Sequence, residues 1–249
     1  MSAFWLPADW PQLPGLHAGT TLRTGGRSQP PYDSLNLAEH VGDDPQAVSL
    51  NRQRLEQQLD LPAAPHWLQQ VHGTRCLQLK GVDDAPTPVA DAAWTEEPGV
   101  VCAVQTADCL PVLIADTAGT AISAVHAGWR GLAAGIVQHA VASMPVPPGR
   151  LQAWIGPAIG ADHFEVGEEV VAEFRNAGFP AQLLVHGHSP AGRPMLDLAG
   201  LCRWALRSVG VVQVHGGHYC SYTDQQRFFS HRRAAPCGRM ASLIWRDCL

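Results

Sequence analysis

The chain has 249 residues, of which 46% are hydrophobic and 16% charged, and its formal net charge at pH 7 is −5. This length can bury the core of one large domain, while the acidic balance argues against binding to nucleic acid or an anionic membrane, which usually needs a basic surface. No apolar run approaches the roughly 20 residues that span a bilayer, and the N-terminus lacks the basic region of a secretory signal. We therefore expect a cytoplasmic protein with no nucleic-acid or membrane partner.

Cysteine and lysine usage narrows the possible chemistry. The seven cysteines are odd in number, scattered, and form no C-x-x-C pair, so we expect free thiols and not a disulfide framework. Lys80 is the only lysine, and the chain contains no G-x-x-x-x-G-K-[ST] motif. Binding of anionic groups must therefore depend mainly on arginine.

The first half of the chain predicts one helix followed by several strands. Asp43 or Asp44 caps the helix, whose apolar stripe continues to Leu61. Residues 66–80 then have the pattern of a strand that passes through a turn at Gly73. Three short apolar segments bounded by turns follow, with the length typical of buried strands: 99–108, 109–116 and 120–128.

The second half alternates helices and strands. The pattern predicts a helix over 129–144, a strand over 151–160, helices over 167–179 and 196–210, and a strand over 211–214. Because several strands are adjacent in sequence, this order favours an α/β sandwich with a mixed β-sheet core over a doubly wound nucleotide fold. The chain has no G-x-G-x-x-G motif, which agrees with that interpretation. The chain shows no internal repeat and no low-complexity linker, and its length fits one large domain or two small ones.

Three side chains at the ends of apolar segments are candidates for chemistry. His72 lies in QQVHG, Cys109 in TADCLP and His126 in AVHAGWRG. One thiolate and two imidazoles suit zinc and leave a fourth position for water or substrate. Spacing does not establish that the three side chains meet, since they lie 37 and 17 positions apart.

The same three residues allow two other interpretations. The histidines can be hydrogen-bonded core residues, with Cys109 a small buried hydrophobe. Alternatively, Cys109 can be a nucleophile with His126 as its base and Asp108 orienting the histidine. A thiolate bound to zinc is a poor nucleophile, so the metal site and the dyad exclude each other.

Several motifs together resemble the laccase-domain purine nucleoside phosphorylase family, which is also described as multicopper polyphenol oxidase and as peptidoglycan editing factor. The motifs run from about Leu22 to Ile244, and the pairing of T-A-D-C with H-A-G-W-R-G is the most specific of them. The others are R-T-G-G-R-S, Y-D-S-L-N-L, H-V-G-D-D, Q-Q-V-H-G, I-G-P-A-I-G, R-F-F-S-H-R-R and C-G-R-M-A.

This resemblance implies a single-domain α/β sandwich with one zinc per subunit, held by His72, Cys109 and His126. It implies phosphorolysis of adenosine, inosine, guanosine or methylthioadenosine, and hydrolytic deamination of adenosine. The partners are then a small purine nucleoside and phosphate, and the oligomeric state is open. Copper fits less well, because multicopper oxidases need many histidines, commonly in H-x-H pairs, and the chain has one such pair, at 186–188.

Five further residues are expected at the site from their motif positions and chemistry. Asp108 is expected to move protons or to orient a histidine. Arg23, and after it Arg130, is expected to bind phosphate. Asn36 and Gln70 are expected to hydrogen-bond the ribose or the base.

Two departures from the family pattern concern the substrate end of the pocket. Cys220-Ser221 stands where Cys-Thr is usual, and His231 stands where an aromatic residue is commoner. Neither position belongs to the expected zinc ligands.

Overall fold

The computed structural model describes residues 4–81 and 87–248. Within them the chain forms five α-helices: α1 (Pro45–Leu59), α2 (Trp129–Ala133), α3 (Ile136–Ser143), α4 (Glu168–Asn176) and α5 (Leu198–Ser208). The same residues form twelve strands: β1 (Trp5–Pro7), β2 (Leu16–Thr21), β3 (Cys76–Gln78), β4 (Ala92–Thr95), β5 (Cys102–Thr106), β6 (Leu110–Asp116), β7 (Ile122–Ala127), β8 (Leu151–Ile155), β9 (Gly187–His188), β10 (Pro194–Met195), β11 (Gln213–Gly216) and β12 (Met240–Arg246).

The strands form two large sheets and one small one. A four-stranded sheet has the order β1-β2-β12-β5, a six-stranded sheet the order β11-β8-β6-β7-β4-β3, and β9 pairs with β10. The four-stranded sheet is antiparallel. In the six-stranded sheet β11 is parallel to β8 and β3 to β4, while the other pairs are antiparallel. The predicted α/β sandwich with a mixed sheet is confirmed, and the structure adds a second, antiparallel sheet.

The core consists of four packed layers. The two large sheets meet face to face, with Leu113 and Trp154 of one against Val104 and Ile244 of the other. Because side chains alternate between the faces of a strand, neighbouring residues of the six-stranded sheet point the other way and pack against α2 to α5. Helix α1 covers the outer face of the four-stranded sheet through Leu55.

The first helix begins as predicted and ends two residues early. The side chain of Asp44 accepts a hydrogen bond from the backbone N–H of Gln46 at 3.0 Å, which satisfies a donor of the first turn. The helix stops at Leu59, not at Leu61, because Asp60 takes a left-handed backbone conformation with φ of 48°.

Two other predictions are corrected by local backbone conformation. The helix predicted over 129–144 is two helices, because Gly135 has φ of 93° and interrupts the helix between α2 and α3. The strand predicted over 66–80 is a loop apart from β3 and single bridges at His66 and Gln69. That loop carries His72.

Candidate metal centre

Cys109 lies where the chain passes from one large sheet to the other. Strand β5 ends at Thr106 in the four-stranded sheet, and β6 begins at Leu110 in the six-stranded sheet. The antiparallel register of β6 and β7 pairs Leu110 with Ala127. Cys109 directly precedes β6, and His126 lies near the end of β7. The two residues are therefore side by side at one end of this strand pair.

His72 reaches the same edge from the loop before β3. Its Nε2 lies 3.7 Å from the Sγ of Cys109, and its ring meets that of His126 edge-on with centroids 4.8 Å apart. The three potential ligand atoms all lie within 4.8 Å of one another. In the part of the chain that the structure describes, this is the one group of three or more His, Cys, Asp or Glu side chains spaced to hold a metal ion.

A buried carboxylate, Asp91, fixes the ring of His126 and the backbone of His72. Its Oδ1 accepts from Nδ1 of His126 at 2.8 Å and from the backbone N–H of His72 at 2.8 Å. Its Oδ2 accepts from the backbone N–H groups of Gly73 at 2.7 Å and Val71 at 3.2 Å. The Asp91 backbone carbonyl also accepts from the N–H of His126 at 2.7 Å, next to the point where β4 pairs with β7.

These bonds define which nitrogen of His126 is free. A carboxylate can only accept, so Nδ1 of His126 carries a proton and Nε2 is left to coordinate a metal. A carboxylate behind a histidine is the usual outer partner of a metal-binding imidazole. The donor set, its spacing and this carboxylate together fit one metal ion.

Glycine at position 128 leaves the space in which the side chains of His72 and Cys109 come together. A Cβ at Gly128 would lie 2.6 Å from Cδ2 of His72 and 3.1 Å from Sγ of Cys109. A Cβ at Gly131 would lie 3.0 Å from the carbonyl oxygen of Gly73. The two glycines of H-A-G-W-R-G thus allow the start of α2 to lie directly against the loop that carries His72.

One residue of the cluster, His72, and the neighbour of another, Asp108, have strained backbones. His72 has φ of 61° and Asp108 has φ of 89°, values that cost a non-glycine residue on the order of 1–3 kcal/mol. Each is held by specific hydrogen bonds. The backbone N–H of His72 is bound by Asp91, while the carboxylate of Asp108 accepts from Ser221 Oγ at 2.6 Å and from the Arg232 N–H at 2.7 Å.

The metal-free cluster forms a thiolate–imidazolium pair. Burial raises the pKa of the Cys109 thiol, but hydrogen bonds and positive charge from His126 and His72 outweigh that effect and lower the pKa to about 6. Burial lowers the pKa of His126, but Asp91 and Cys109 outweigh it and raise the pKa to about 9. Burial likewise raises the pKa of Asp91, whereas its bonds to His126, Gly73 and His72 bring it below the usual range.

The cluster opens into a cavity of about 230 Å³. Its lining combines imidazoles, amides, a hydroxyl and one guanidinium: His40, Gln70, His72, Gln105, Thr106, Ala107, Cys109, His126, His231 and Arg239. Among the described residues none of these is a carboxylate. The cavity therefore offers donors and positive charge to a bound molecule.

Two of the five additional residues expected at the site lie at or directly behind this cavity. Gln70 lines it and is fixed by paired bonds, since its Nε2 donates to the carbonyl oxygen of Gln105 and its Oε1 accepts from the Gln105 N–H. Asn36 is fully buried, and its Oδ1 accepts from the backbone N–H of Arg239 at 3.0 Å. Asn36 thus contacts the cavity wall from behind.

The two arginines expected to bind phosphate lie elsewhere. Arg23 donates to the carbonyl oxygen and the carboxylate of Asp33 and packs on the ring of Phe229. Arg130 is exposed and lies over the ring of Trp129. Neither lines the cavity, because Arg23 is engaged by its own loop and Arg130 is directed outward from α2.

Asp108 does not orient His126. Its carboxylate is occupied by Ser221 and Arg232, and the carboxylate that bonds the ring of His126 is Asp91. Adjacency to Cys109 in sequence therefore does not bring the Asp108 side chain to the histidine.

The sequence gives partial signals for the residues that were missed. Asp91 is a single acid directly before the apolar strand β4, a position where an unpaired carboxylate is costly. His40 and Arg239 belong to the motifs H-V-G-D-D and C-G-R-M-A. The approach of Arg239 to the cavity depends on the pairing of β12 with β5, which no local pattern predicts.

None of the helices formed by the described residues is long and apolar enough to cross a membrane.

The fold and the site define a four-layer α/β sandwich with one Cys-His-His group at the crossing between its sheets. A family model described as multi-copper polyphenol oxidoreductase laccase matches residues 17–247. The chain therefore belongs to this family, as the sequence motifs predicted.

Proteins similar to this chain are named as enzymes. It is 47% identical to a purine nucleoside phosphorylase of Pseudomonas aeruginosa over 97% of this chain and 98% of that one. It is 47% identical to the purine nucleoside phosphorylase YfiH of Escherichia coli over 98% and 99% of the two chains. These names support the conclusion that this chain is an enzyme. The activity in the names of these relatives, purine nucleoside phosphorylase, is the one that the motifs predict.

Solved structures share the whole fold. A crystal structure of a Neisseria meningitidis protein matches with a TM-score of 0.91 and 46% identity, over 98% of this chain and 99% of that one. The crystal structure of YlmD from Geobacillus stearothermophilus matches with a TM-score of 0.92 and 32% identity, over 100% and 98%. The sandwich is thus the fold of these relatives as well.

Proposed function

We propose that this protein is a zinc-dependent purine nucleoside phosphorylase, with zinc held by His72, Cys109 and His126. The observation that carries the proposal is the convergence of these three side chains at the floor of a cavity lined by donors. One thiolate and two imidazoles are a common ligand set for a catalytic zinc ion. The names of the relatives support the nucleoside activity.

The proposed reactions are phosphorolysis and deamination. In phosphorolysis a phosphate oxygen forms a bond to C1′ of adenosine, inosine, guanosine or methylthioadenosine. The C1′–N9 bond breaks with its electron pair on the base, N9 takes up a proton that the dihydrogen phosphate gives up, and the products are the free base and the pentose 1-phosphate. In deamination, adenosine and water give inosine and ammonia. Zinc, when bound, supplies Lewis acidity that strengthens water as a nucleophile and polarises substrate oxygens.

The chain's own residues prepare the site for this chemistry. Asp91 holds His126 in one tautomer and fixes the strained backbone of His72, so the ligand set is preorganised. Gln70 is locked by both of its bonds to Gln105, and it presents a rigid wall to the nucleoside. The carboxylate-free lining favours the anionic phosphate.

Metal analysis and a nucleoside assay on the same tag-free protein test the proposal. We expect about one zinc ion per chain, release of adenine from adenosine that requires phosphate, and loss of both in Cys109→Ala. Cys248→Ala removes an exposed cysteine near the end of the chain and serves as the matched control. Zinc binding without any phosphate-dependent release of base would contradict the phosphorylase assignment.

Two alternatives have their own signatures. Copper in the purified protein, with oxidation of phenols and no nucleoside turnover, would support an oxidase. The thiolate–imidazolium pair of Cys109 and His126 in the metal-free cluster favours a second candidate, a Cys/His hydrolase acting on cell-wall precursors. That candidate predicts activity that survives chelation of the metal and is abolished by alkylation of Cys109.

A further inference from the structure

One buried hydroxyl on the cavity wall has no hydrogen-bond partner among the residues that the structure describes. Thr106 is the last residue of β5, its side chain is 2% exposed, and it lines the cavity beside Cys109. Its Oγ1 makes no hydrogen bond to any other described residue. A buried polar atom left unpaired destabilises the folded protein, and a bound ligand that pairs with this hydroxyl removes that penalty.

Arg239 approaches the same part of the wall through strand pairing. The antiparallel register of β12 and β5 sets Met240 opposite Thr106. The preceding residue, Arg239, therefore lies just beyond the end of the ladder and lines the cavity. Its backbone N–H is held by Oδ1 of the fully buried Asn36, so the position of the arginine is fixed by the core.

Half of the Arg239 guanidinium is left for a ligand. Its Nη1 donates to the carbonyl oxygens of Cys237 at 2.8 Å and Gly238 at 3.1 Å, and contacts the Cys237 sulfur at 3.5 Å. Within residues 4–81 and 87–248, no group accepts a hydrogen bond from its Nε or Nη2. Two guanidinium N–H groups in a fixed plane match two oxygens of a tetrahedral oxyanion.

The charge around this wall is positive. The described lining contains Arg239 and four imidazoles and lacks a carboxylate. The pKa of His40 is lowered by burial and, after that, by the positive charges of Arg239 and Arg52. Cys109 also lines the cavity, but it belongs to the Cys-His-His cluster and not to this part of the wall.

We propose that Arg239 and Thr106 form an oxyanion subsite that binds inorganic phosphate next to the Cys-His-His cluster. This inference rests on the proposed function, and it assigns the phosphate to these two residues and not to Arg23 or Arg130. Arg239 binds two phosphate oxygens through Nε and Nη2, and the Thr106 hydroxyl binds a third. The phosphate is thereby held for attack on C1′ of a nucleoside in the same cavity.

Two substitutions and a matched control test the subsite. Thr106→Val keeps the shape of the side chain and removes its hydroxyl, and Arg239→Lys keeps the charge and removes the planar pair of donors. Arg54→Gln removes an exposed arginine of α1 outside the cavity. Binding of inorganic phosphate to the zinc-loaded protein is measured by calorimetry without nucleoside. The KM values for phosphate and for nucleoside are then measured separately.

Loss of a hydrogen bond to a charged ligand predicts about a 10-fold or greater loss of phosphate affinity in each cavity variant. KM for phosphate should rise in parallel, while zinc content, KM for nucleoside and the Arg54→Gln control stay unchanged. Unchanged phosphate affinity in folded Thr106→Val overturns the subsite, even if Arg239→Lys does not fold. A rise in KM for nucleoside alone also overturns it, because Thr106 or Arg239 then binds the nucleoside.

The outcomes for the wild-type protein separate this inference from the proposed function. Phosphate binding that is weakened by both substitutions, with no release of base, leaves the subsite in place and refutes the phosphorylase. Release of base together with unchanged phosphate binding in the variants refutes the subsite alone. Wild-type protein that binds no phosphate refutes the subsite directly.

Discussion

Two cavities of this molecule are each lined by several histidines, and they differ in whether their side chains converge. The larger, of about 580 Å³, is lined by Asp162, Glu165, His186 and His188 among others. Its contacts are long and exposed, with 3.4 Å between His186 and Asp162, whose side chains are 49% and 86% exposed. The smaller cavity, of about 230 Å³, has the Cys-His-His cluster and the buried Asp91 behind it.

Burial and convergence, and not volume, distinguish the candidate site. An exposed ion pair such as His186–Asp162 is worth about 0–1 kcal/mol, because water screens it and its side chains lose freedom. Asp91 accepts four hydrogen bonds in the core, and removing a buried partner leaves donors unsatisfied at a much higher cost. Cys109, Asp91 and Gly128 each allow a test of this difference.

The largest expected effect is on the reactivity of Cys109 in protein stripped of metal. Because His126 and His72 lower the pKa of this thiol to about 6 despite its burial, alkylation by iodoacetamide should rise with pH through a midpoint near 6. At that pH an ordinary thiol with a pKa of about 8.5 is less than 1% thiolate, so the thiolate fraction differs on the order of a hundredfold. The measurement is the alkylation rate at position 109 by mass spectrometry from pH 4 to 9.

Two controls accompany the alkylation series. Cys109→Ala gives the background from the other cysteines, and zinc-loaded protein should be protected at position 109. A midpoint above pH 8 would mean that the cluster does not lower the pKa of Cys109. Equal rates with and without zinc would mean that Cys109 is not a ligand.

A smaller effect is expected from Asp91→Asn. The amide lacks the charge that holds Nδ1 of His126 and the backbone of residues 71–73, so zinc affinity should fall by about 10–100-fold. The matched control is Asp162→Asn, which breaks the exposed pair with His186 and should leave zinc affinity unchanged. Competition with a chromogenic chelator measures the zinc affinity of both variants. Equal losses of zinc affinity would contradict the inference that burial and convergence distinguish the two cavities.

The pH dependence of stability gives Asp91→Asn a second readout. The pKa of the Asp91 carboxyl is below its usual range in the folded protein. Its contribution to the free energy of unfolding is therefore present above the pKa of an unfolded aspartate and is lost as the pH falls through the lowered folded value. In metal-free protein, the variant should lose less stability than the wild type over that acidic range. A parallel pair of acid-unfolding curves would contradict the assigned role.

The sequence predicts those parts of the fold that depend on local patterns. Asp44 caps α1 as expected, because aspartate is favoured at the N-cap and proline at the first helical position. The apolar runs that end near Cys109 and His126 are strands β5, β6 and β7. The structure brings their ends together with His72, as the chemistry of the three side chains suggested.

Other parts depend on pairing between distant segments, which local patterns do not encode. Strand β12 pairs Ser242 with Thr20 of β2, and it lies between β2 and β5. Its pairing with β5, which sets Met240 opposite Thr106, brings Arg239 to the cavity. Asp91 reaches His126, 35 positions away, because β4 pairs with β7. The nearer acid in sequence, Asp108, is bound instead by Ser221 and by the backbone of Arg232.

The smallest effect is expected from adding a single methyl group at Gly128. A Cβ there would lie 2.6 Å from His72 and 3.1 Å from the Cys109 sulfur, so Gly128→Ala must displace the His72 ring or the start of α2. Overpacking of this kind costs about 1–3 kcal/mol of unfolding free energy, and the displaced ring should lower zinc affinity by less than Asp91→Asn does. Gly149→Ala is the matched control, because no atom lies within 4 Å of its added Cβ. Denaturant unfolding and chelator competition measure both variants. Because the cluster is close-packed, one methyl group is enough to separate its ligands. If Gly128→Ala binds zinc as tightly as Gly149→Ala, the three side chains adjust freely, and their convergence is not what distinguishes this cavity.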